Sequence, residues 1–133
     1  MSSTKKKIEI NLGNFKEISF QISYLKLAAK CWGNPEGIPL LGFHGWLDNA
    51  ATFDHLAPLL NEYRFVSLDL PGHGFSDHRP PGSSYHFIDM IVDVLEVINL
   101  LGWERFSLIG HSMGAGVASY LAGTVPEKID SVI

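Results

Sequence analysis

The 133-residue chain has few cysteines, no excess of positive charge and no long apolar run. Cys31 is the single cysteine, so no disulfide can form within the chain, and a reducing compartment is expected. Ten Lys and Arg against fourteen Asp and Glu give a net charge of −4, whereas proteins that bind nucleic acid usually carry a basic surplus. No segment reaches the roughly 18 uncharged apolar residues of a membrane helix. We therefore expect a cytoplasmic protein that binds neither nucleic acid nor membranes.

Sequence signatures of metal ions and organic cofactors are also missing. The six histidines are scattered over different segments, and neither an H-x-x-x-H pair nor a pair of cysteines occurs. Residues 69–76, DLPGHGFS, contain a G-x-G pattern but lack the third glycine of a dinucleotide-binding fingerprint. A turn that shapes the wall of a cleft is the better interpretation of this segment. We expect neither a metal nor a cofactor.

Apolar residues make up 46% of the chain, which is enough for the core of one domain. Residues 1–14 are predicted to be an N-terminal tail, and its basic run Lys5-Lys6-Lys7 is interpreted as solvated. Residues 15–133 are predicted to be the N-terminal portion of a single domain. Within it, the alternation of apolar residues over 15–32 predicts two antiparallel strands joined near Ser23.

Beyond residue 33 the apolar positions form short runs, which are typical of strands buried on both faces of a parallel sheet. The predicted strands cover residues 39–43, 64–68, 106–110 and 131–133. Helices are predicted between them, over residues 53–63, 84–101 and 112–123. Strands that alternate with helices in this way indicate an α/β fold, here a doubly wound parallel sheet preceded by a β-hairpin.

The predicted helix over 84–101 has the clearest pattern. Its apolar face is expected to contain Ile88, Ile91, Val92, Leu95 and Ile98, and its solvated face Asp89, Asp93 and Glu96. Ser83 or Ser84 can cap the start of this helix, and Gly102 can close its end.

The last predicted strand, residues 131–133, has no helix or cap after it. A parallel strand at the end of a sheet leaves unpaired backbone groups exposed. We therefore expect that the chain is the first part of a longer domain, truncated after the third predicted helix. We also expect self-association through this sheet edge.

Residues 110–114, GHSMG, form a G-x-S-x-G pattern between an apolar strand and a helix rich in small residues. In such a pattern the strand turns abruptly into the helix, and the central residue, Ser112, projects its side chain into the open. The two glycines remove the Cβ atoms that would collide with this turn. A plain strand–helix turn that carries a serine is the alternative interpretation.

A second segment, His44-Gly45-Trp46, directly follows the predicted strand 39–43. The glycine allows the backbone to turn so that the N–H of Trp46 faces the substrate of the serine. Together with the N–H of Met113, at the positive end of a helix dipole, it would form an oxyanion hole. The alternative is a glycine turn followed by a tryptophan that only packs.

Together the three segments resemble the α/β-hydrolase superfamily, with HGW after the third strand, DLPGHGFS after the fourth and GHSMG at the nucleophile elbow. The resemblance extends from about residue 15 onward, and the segment HGWLDNAATFDHLAPLL is most similar to the serine hydrolase-like subfamily. It implies that Ser112 is the nucleophile, that the amides of Trp46 and Met113 form the oxyanion hole, and that the substrate is a small ester or thioester. A serine at the elbow weighs against the haloalkane dehalogenase and epoxide hydrolase branches, which use a carboxylate there.

The chain departs from the superfamily after the elbow. The triad order is Ser, then Asp or Glu, then His, but Ser112 is followed only by the acids Glu127 and Asp130 and by no histidine. Both acids are expected to be solvated. His111 adjoins Ser112 but is expected to point away from it, and His44 is expected to hydrogen-bond its own loop. Without a base, Ser112 keeps its proton and is a poor nucleophile.

Two functions stay open at this point. The first is a serine hydrolase whose triad Asp and His are missing from this chain, so that the chain alone is inactive or nearly so. The second is a non-catalytic hydrolase-like fragment, or a binding module, that keeps the cleft.

Overall fold

A computed structural model describes residues 14–133 of the chain. It contains six strands, β1 (Phe15–Gln21), β2 (Lys26–Gly33), β3 (Ile38–Phe43), β4 (Tyr63–Leu68), β5 (Phe106–Gly110) and β6 (Ile129–Val132). Two α-helices accompany them, α1 (Phe87–Leu101) and α2 (Met113–Thr124). The predicted α/β fold is therefore confirmed. Apart from Asn14, the predicted tail over 1–14, with its Lys5-Lys6-Lys7 run, lies outside the described residues.

The strands form one mixed sheet in the order β1-β2-β4-β3-β5-β6. The predicted hairpin pairs β1 with β2, and β2 also runs antiparallel to β4, whereas β4, β3, β5 and β6 are parallel. The central strands begin and end within one residue of the predicted limits, and β6 begins two residues earlier than predicted. Because β3, β4 and β5 are adjacent and parallel, the loops after them meet at one edge of the sheet.

The main core lies between one face of the sheet and both α-helices. Its fully buried members include Leu41, Phe43, Val66, Leu108 and Val117. A smaller core on the other face surrounds the ring of Phe65, which packs against Trp32 and Phe53 with ring centroids 5.7 and 5.2 Å apart. Over residues 14–133, neither helix combines the length and the apolarity that crossing a bilayer requires.

The predicted helix over residues 53–63 is wrong. This stretch contains parts of two short 3-10 helices, Ala50–Phe53 and Ala57–Leu59, and β4 already begins at residue 63. Pro58 interrupts an α-helix because it has no N–H for the hydrogen bond to the preceding turn. Leu60, with φ −99° and ψ 59°, then leaves the helical conformation altogether.

Helix α1 is present, but its start and its buried face differ from the prediction. It begins at Phe87 with His86 as the N-cap residue, so neither Ser83 nor Ser84 caps it, whereas Gly102 closes its end with φ 66° as predicted. The buried stripe consists of Met90, Ile91, Val94, Val97 and Ile98, so Ile88 and Val92 are exposed. Apolar residues lie on more than one side of α1, and periodicity alone therefore did not select the buried stripe.

Asp93 is also buried, although the sequence predicts it on the solvated face of α1. It forms an ion pair with Arg79, which lies in the segment between β4 and α1. Burial raises the pKa of the Asp93 carboxyl, and the neighbouring Arg79 acts in the opposite direction. The ion pair explains why a charged residue can occupy this position.

The loop after β4, residues 69–76, is held by hydrogen bonds at both ends. The buried carboxylate of Asp69 accepts from the amides of Ala50, at 2.7 Å, and Phe75, at 3.0 Å. The hydroxyl of Ser76 donates to the carbonyl of Asp69 at 2.5 Å and accepts from a backbone amide of β2 at 2.8 Å. The loop is thus a structural turn that connects β4 with β2 and with the loop after β3.

Replacing Asp69 by Ala is expected to lower the free energy of unfolding by about 2–4 kcal/mol, because two backbone amides lose their acceptor. Urea denaturation followed by circular dichroism measures this loss. The exposed Glu104→Ala variant serves as the control and should change stability by less than about 0.5 kcal/mol. If Asp69→Ala behaves like the control, the carboxylate does not hold the loop.

Candidate functional site

Ser112 lies at a strained turn between β5 and α2. Its φ of 55° and ψ of −116° make it, with Leu47, one of the two non-glycine residues with positive φ among residues 14–133. Such a conformation costs about 1–3 kcal/mol and persists only where the surrounding structure enforces it. Ser112 is exposed, and its hydroxyl has no hydrogen-bond partner within the described part of the chain. The structure thus places this serine in the setting that the G-x-S-x-G pattern predicts.

The glycines on either side of the turn allow very close backbone contacts. A Cβ on Gly110 would lie 2.3 Å from the carbonyl oxygen of Gly114, and a Cβ on Gly114 would lie 2.1 Å from that of Phe43. In addition, the N–H of His111 donates to the carbonyl of Phe43 at 3.1 Å. The start of α2 is therefore pressed against the end of β3, and Ser112 comes to lie beside the loop that follows β3.

This loop contains Gly45 and Trp46. Gly45 is buried, and a Cβ placed on it would lie 3.4 Å from the Cβ of Ser112. The side chain of Trp46 is 62% exposed, and its ring makes an edge contact with the ring of His73 at 5.5 Å. The segment that the sequence assigns to the oxyanion hole is thus next to the candidate nucleophile.

Neither of the two candidate oxyanion amides, those of Trp46 and Met113, makes a hydrogen bond to any residue in the range 14–133. The carbonyl of Ser112 accepts from the amides of Ala115, at 3.0 Å, and Gly116, at 3.4 Å, in the first turn of α2. Because the N–H and C=O of a trans peptide point in opposite directions, the N–H of Met113 points out of the N-terminal end of α2. Both amides therefore lack an acceptor among residues 14–133.

His44 is fully buried between the loops that follow β3 and β4. Its Nδ1 lies 2.7 Å from the carbonyl oxygen of Gly45, and its Nε2 lies 3.0 Å from the backbone nitrogen of Leu70. A backbone N–H can only donate, so Nε2 carries the lone pair and Nδ1 carries the proton. Burial lowers the pKa of His44, and the nearby His73 adds to this effect. With both nitrogens engaged, His44 cannot serve as the base for Ser112.

The remaining histidines do not hydrogen-bond to Ser112 either. The exposed ones are His55, His78, His86 and His111. His73 is buried, with Nδ1 3.0 Å from the carbonyl of Pro71, and its Nε2 has no partner within the described residues. Over residues 14–133, no histidine is therefore placed to activate the serine.

The two acids that follow Ser112 in the chain are exposed, as predicted. Asp130 forms an ion pair with Arg105 at 2.6 Å, and both of these side chains are about half exposed. Glu127 lies in the short 3-10 helix Pro126–Lys128 that leads into β6. Neither of these two side chains hydrogen-bonds to the elbow, so neither is placed to act as the triad acid.

A cavity of about 510 Å³ lies between the β1–β2 hairpin and the loops after β3 and β4. Its lining includes Glu17, Lys30, Asn49, Asp69 and Phe75. Lys30 is already paired with Asp54 at 2.6 Å. Ser112 is not among the residues that line this cavity. In the described range, no three His, Cys, Asp or Glu side chains are grouped as metal ligands.

Sequence reasoning did not single out two features of the site. Leu47 has a φ of 60° and is 78% exposed, but a leucine in the left-handed region leaves no recognisable pattern in a sequence. The hydrogen bond from Leu70 to His44 joins residues that are 26 positions apart. The two residues come together only because β3 pairs with β4.

Replacing Gly114 by Ala is expected to lower the free energy of unfolding by more than about 3 kcal/mol, because the new Cβ collides with backbone. The matched control is Gly123→Ala in the same helix, where a Cβ meets nothing within 4 Å. This control should raise stability by about 0.5 kcal/mol through higher helix propensity. Equal effects of the two substitutions in thermal or urea denaturation would contradict the close contact between α2 and β3.

The lowered pKa of His44 predicts a pH dependence of stability. The unfolded chain binds a proton at this residue near its ordinary pKa of 6.5, and the folded chain binds it only at lower pH. The contribution of His44 to stability is therefore complete above about pH 6.5 and declines as the pH falls toward the folded-state pKa. His44→Asn should flatten the curve of unfolding free energy between about pH 5 and 7, whereas His55→Asn should not. An unchanged curve for His44→Asn would refute the prediction.

A protein-family model described as alpha/beta hydrolase fold matches residues 38–133 of this chain. The chain is 46% identical, over 118 residues, to a serine hydrolase-like protein of Danio rerio, which covers 88% of this chain. The match spans only 36% of that relative, so the chain corresponds to little more than a third of its length.

Two solved structures show the same fold. The hypothetical protein PA1622 of Pseudomonas aeruginosa PAO1 has a TM-score of 0.83 and 51% sequence identity, over 87% of this chain and 41% of that one. The thioesterase domain from the curacin biosynthetic pathway has a TM-score of 0.85 and 31% identity, over 90% of this chain and 45% of that one. Sequence motifs, sheet order, elbow and family match agree, and the chain belongs to the α/β-hydrolase family.

Proposed function

We propose that the protein containing this chain is a cytoplasmic serine hydrolase that transfers the acyl group of a small ester or thioester to water. The observation that carries the proposal is the strained, exposed Ser112 next to a loop with an unoccupied amide. Acyl transfer requires a nucleophile and N–H donors for the developing oxyanion. Similarity to a serine hydrolase-like protein and to a thioesterase domain supports the same reaction class.

In this mechanism the Oγ atom of Ser112 attacks the carbonyl carbon of the substrate, and the carbonyl oxygen becomes an oxyanion. The N–H groups of Trp46 and Met113 donate to that oxyanion, and the N-terminal end of α2 adds a favourable dipole. The alcohol or thiol then leaves with a proton, and water hydrolyses the acyl-serine. The base that accepts and returns these protons comes from residues outside this chain.

The chain taken alone is proposed to be inactive or nearly so. Within residues 14–133 no imidazole reaches the hydroxyl of Ser112, and an alcohol without a base is almost fully protonated near neutral pH. The expectation of self-association through β6 also stands as a proposal. It is supported by the position of β6 at the edge of the sheet, with Asp130, Ser131 and Val132 exposed.

A non-catalytic binding module is the second candidate. It is favoured by the same missing base, since an elbow serine can persist as a structural remnant after catalysis is lost. The two functions differ in one respect that can be measured: only a hydrolase activates Ser112 toward an electrophile.

Labelling with a fluorophosphonate tests the proposal on the full-length protein. The wild type should be labelled stoichiometrically, and Ser112→Ala should lose labelling, because the phosphorus is attacked by the Oγ atom itself. Ser119→Ala, at an exposed position on the same helix, is the matched control and should be labelled like the wild type. The isolated 133-residue chain should react at least about 100-fold more slowly.

An unlabelled full-length protein would favour the binding module instead. Labelling that persists in Ser112→Ala would assign the nucleophile to another residue. Intact-protein mass spectrometry detects whether any label is present, and mass spectrometry of the labelled peptide identifies the residue that carries it.

A further inference from the structure

The carbonyl oxygen of Gly45 is held by two hydrogen bonds. The Nδ1–H of His44 donates to it at 2.7 Å, and the backbone N–H of Asp48 donates to it at 3.2 Å. This carbonyl belongs to the same peptide unit as the N–H of Trp46, and residues 14–133 contain no cis peptide bond. The N–H and C=O of a trans peptide point in opposite directions. Fixing the carbonyl of Gly45 therefore fixes the direction of the amide of Trp46.

The imidazole of His44 is itself held at its other end. Its Nε2 accepts from the N–H of Leu70, the residue that follows Asp69 in the loop after β4. The ring is 0% exposed and packs against the ring of His73, with centroids 5.0 Å apart. A buried ring with both nitrogens bonded cannot turn without leaving a polar atom unsatisfied.

We propose that His44 is a positioning residue that directs the N–H of Trp46 toward the substrate oxygen. The proposal rests on the hydrolase function proposed above. His44 does not touch the substrate; it acts through the peptide unit between Gly45 and Trp46. The neutral Nδ1–H tautomer is the form that performs this role, because the amide of Leu70 requires a lone pair on Nε2.

A protonated His44 would direct an Nε2–H against the N–H of Leu70, so positioning should fail at acidic pH. The titratable groups around this segment are His73 and Asp69 of the loop after β4, Asp48 of the loop after β3, and His111 of the elbow, which faces Gly45. Burial lowers the pKa of His44, and so does the nearby His73. The hydrogen bond to the carbonyl of Gly45 raises this pKa, as do the negative charges of Asp69 and Asp48. Because the lowering effects prevail, the ring stays neutral near pH 7.

Two substitutions separate the two hydrogen bonds of His44. In His44→Asn the side-chain amide nitrogen replaces Nδ1 and can still donate to the carbonyl of Gly45. In His44→Gln the side-chain oxygen can reach the former place of Nε2 and accept from Leu70, but no donor remains for Gly45. Only the first bond fixes the amide of Trp46, so the two variants should differ in rate.

The experiment measures kcat and KM of the full-length protein with a p-nitrophenyl ester. The endpoint of fluorophosphonate labelling gives the concentration of active sites from which kcat is calculated. His44→Gln should lower kcat by about 10- to 100-fold with KM changed by less than about 3-fold, because the oxyanion donors act in the transition state. His44→Asn should lose no more than about 5-fold in kcat. The exposed His55→Gln is the control and should match the wild type.

Equal kcat values for His44→Gln and His44→Asn, or a change in KM alone, would overturn the positioning role and leave the hydrolase function intact. A wild-type protein that neither turns over nor reacts with the fluorophosphonate would overturn both. Nitrogen-15 NMR of the wild-type imidazoles tests the tautomer that the proposal requires, even if a variant fails to fold. Near pH 7, His44 should carry its proton on Nδ1 and none on Nε2, and the opposite tautomer or an imidazolium would refute the proposal.

Discussion

The architecture of the site depends on the close contact between the start of α2 and the end of β3. Gly114 approaches the carbonyl oxygen of Phe43 so closely that no side chain fits between them. The contact holds Ser112 in its strained conformation and brings it next to Gly45. Because β3, β4 and β5 are adjacent and parallel, their loops can then share hydrogen bonds, including the one between Leu70 and the imidazole of His44. The site is thus assembled mainly from backbone groups whose directions the sheet determines.

The structural features that depend on local sequence could be predicted. Continuous apolar runs identified β3, β4 and β5 within a residue, because strands buried on both faces need such runs whatever their neighbours are. The spacing of GHSMG over residues 110–114 identified the elbow, because only glycines tolerate backbone carbonyls at 2.1 to 2.3 Å from a Cβ position. The order of motifs along the chain then indicated the α/β-hydrolase family, which the family match over residues 38–133 confirmed.

Features that depend on contacts distant in sequence could not be predicted. Asp93 is expected on the solvated face of α1 but is buried, because it forms an ion pair with Arg79. Nothing in the periodicity of that helix indicates a partner fourteen residues earlier. The absence of the α-helix predicted over residues 53–63 has a local cause, because Pro58 lies within that segment and cannot donate the backbone hydrogen bond of an α-helix. The tautomer of His44 depends on an amide contributed by another loop.

The most direct measurement is a crystal structure of the full-length protein after reaction with a phosphonate ester. We expect a covalent bond from phosphorus to the Oγ atom of Ser112. We also expect one phosphoryl oxygen to lie about 2.7–3.1 Å from the backbone nitrogens of both Trp46 and Met113. A phosphoryl oxygen that faces away from either amide, or an adduct on a different side chain, would contradict this expectation.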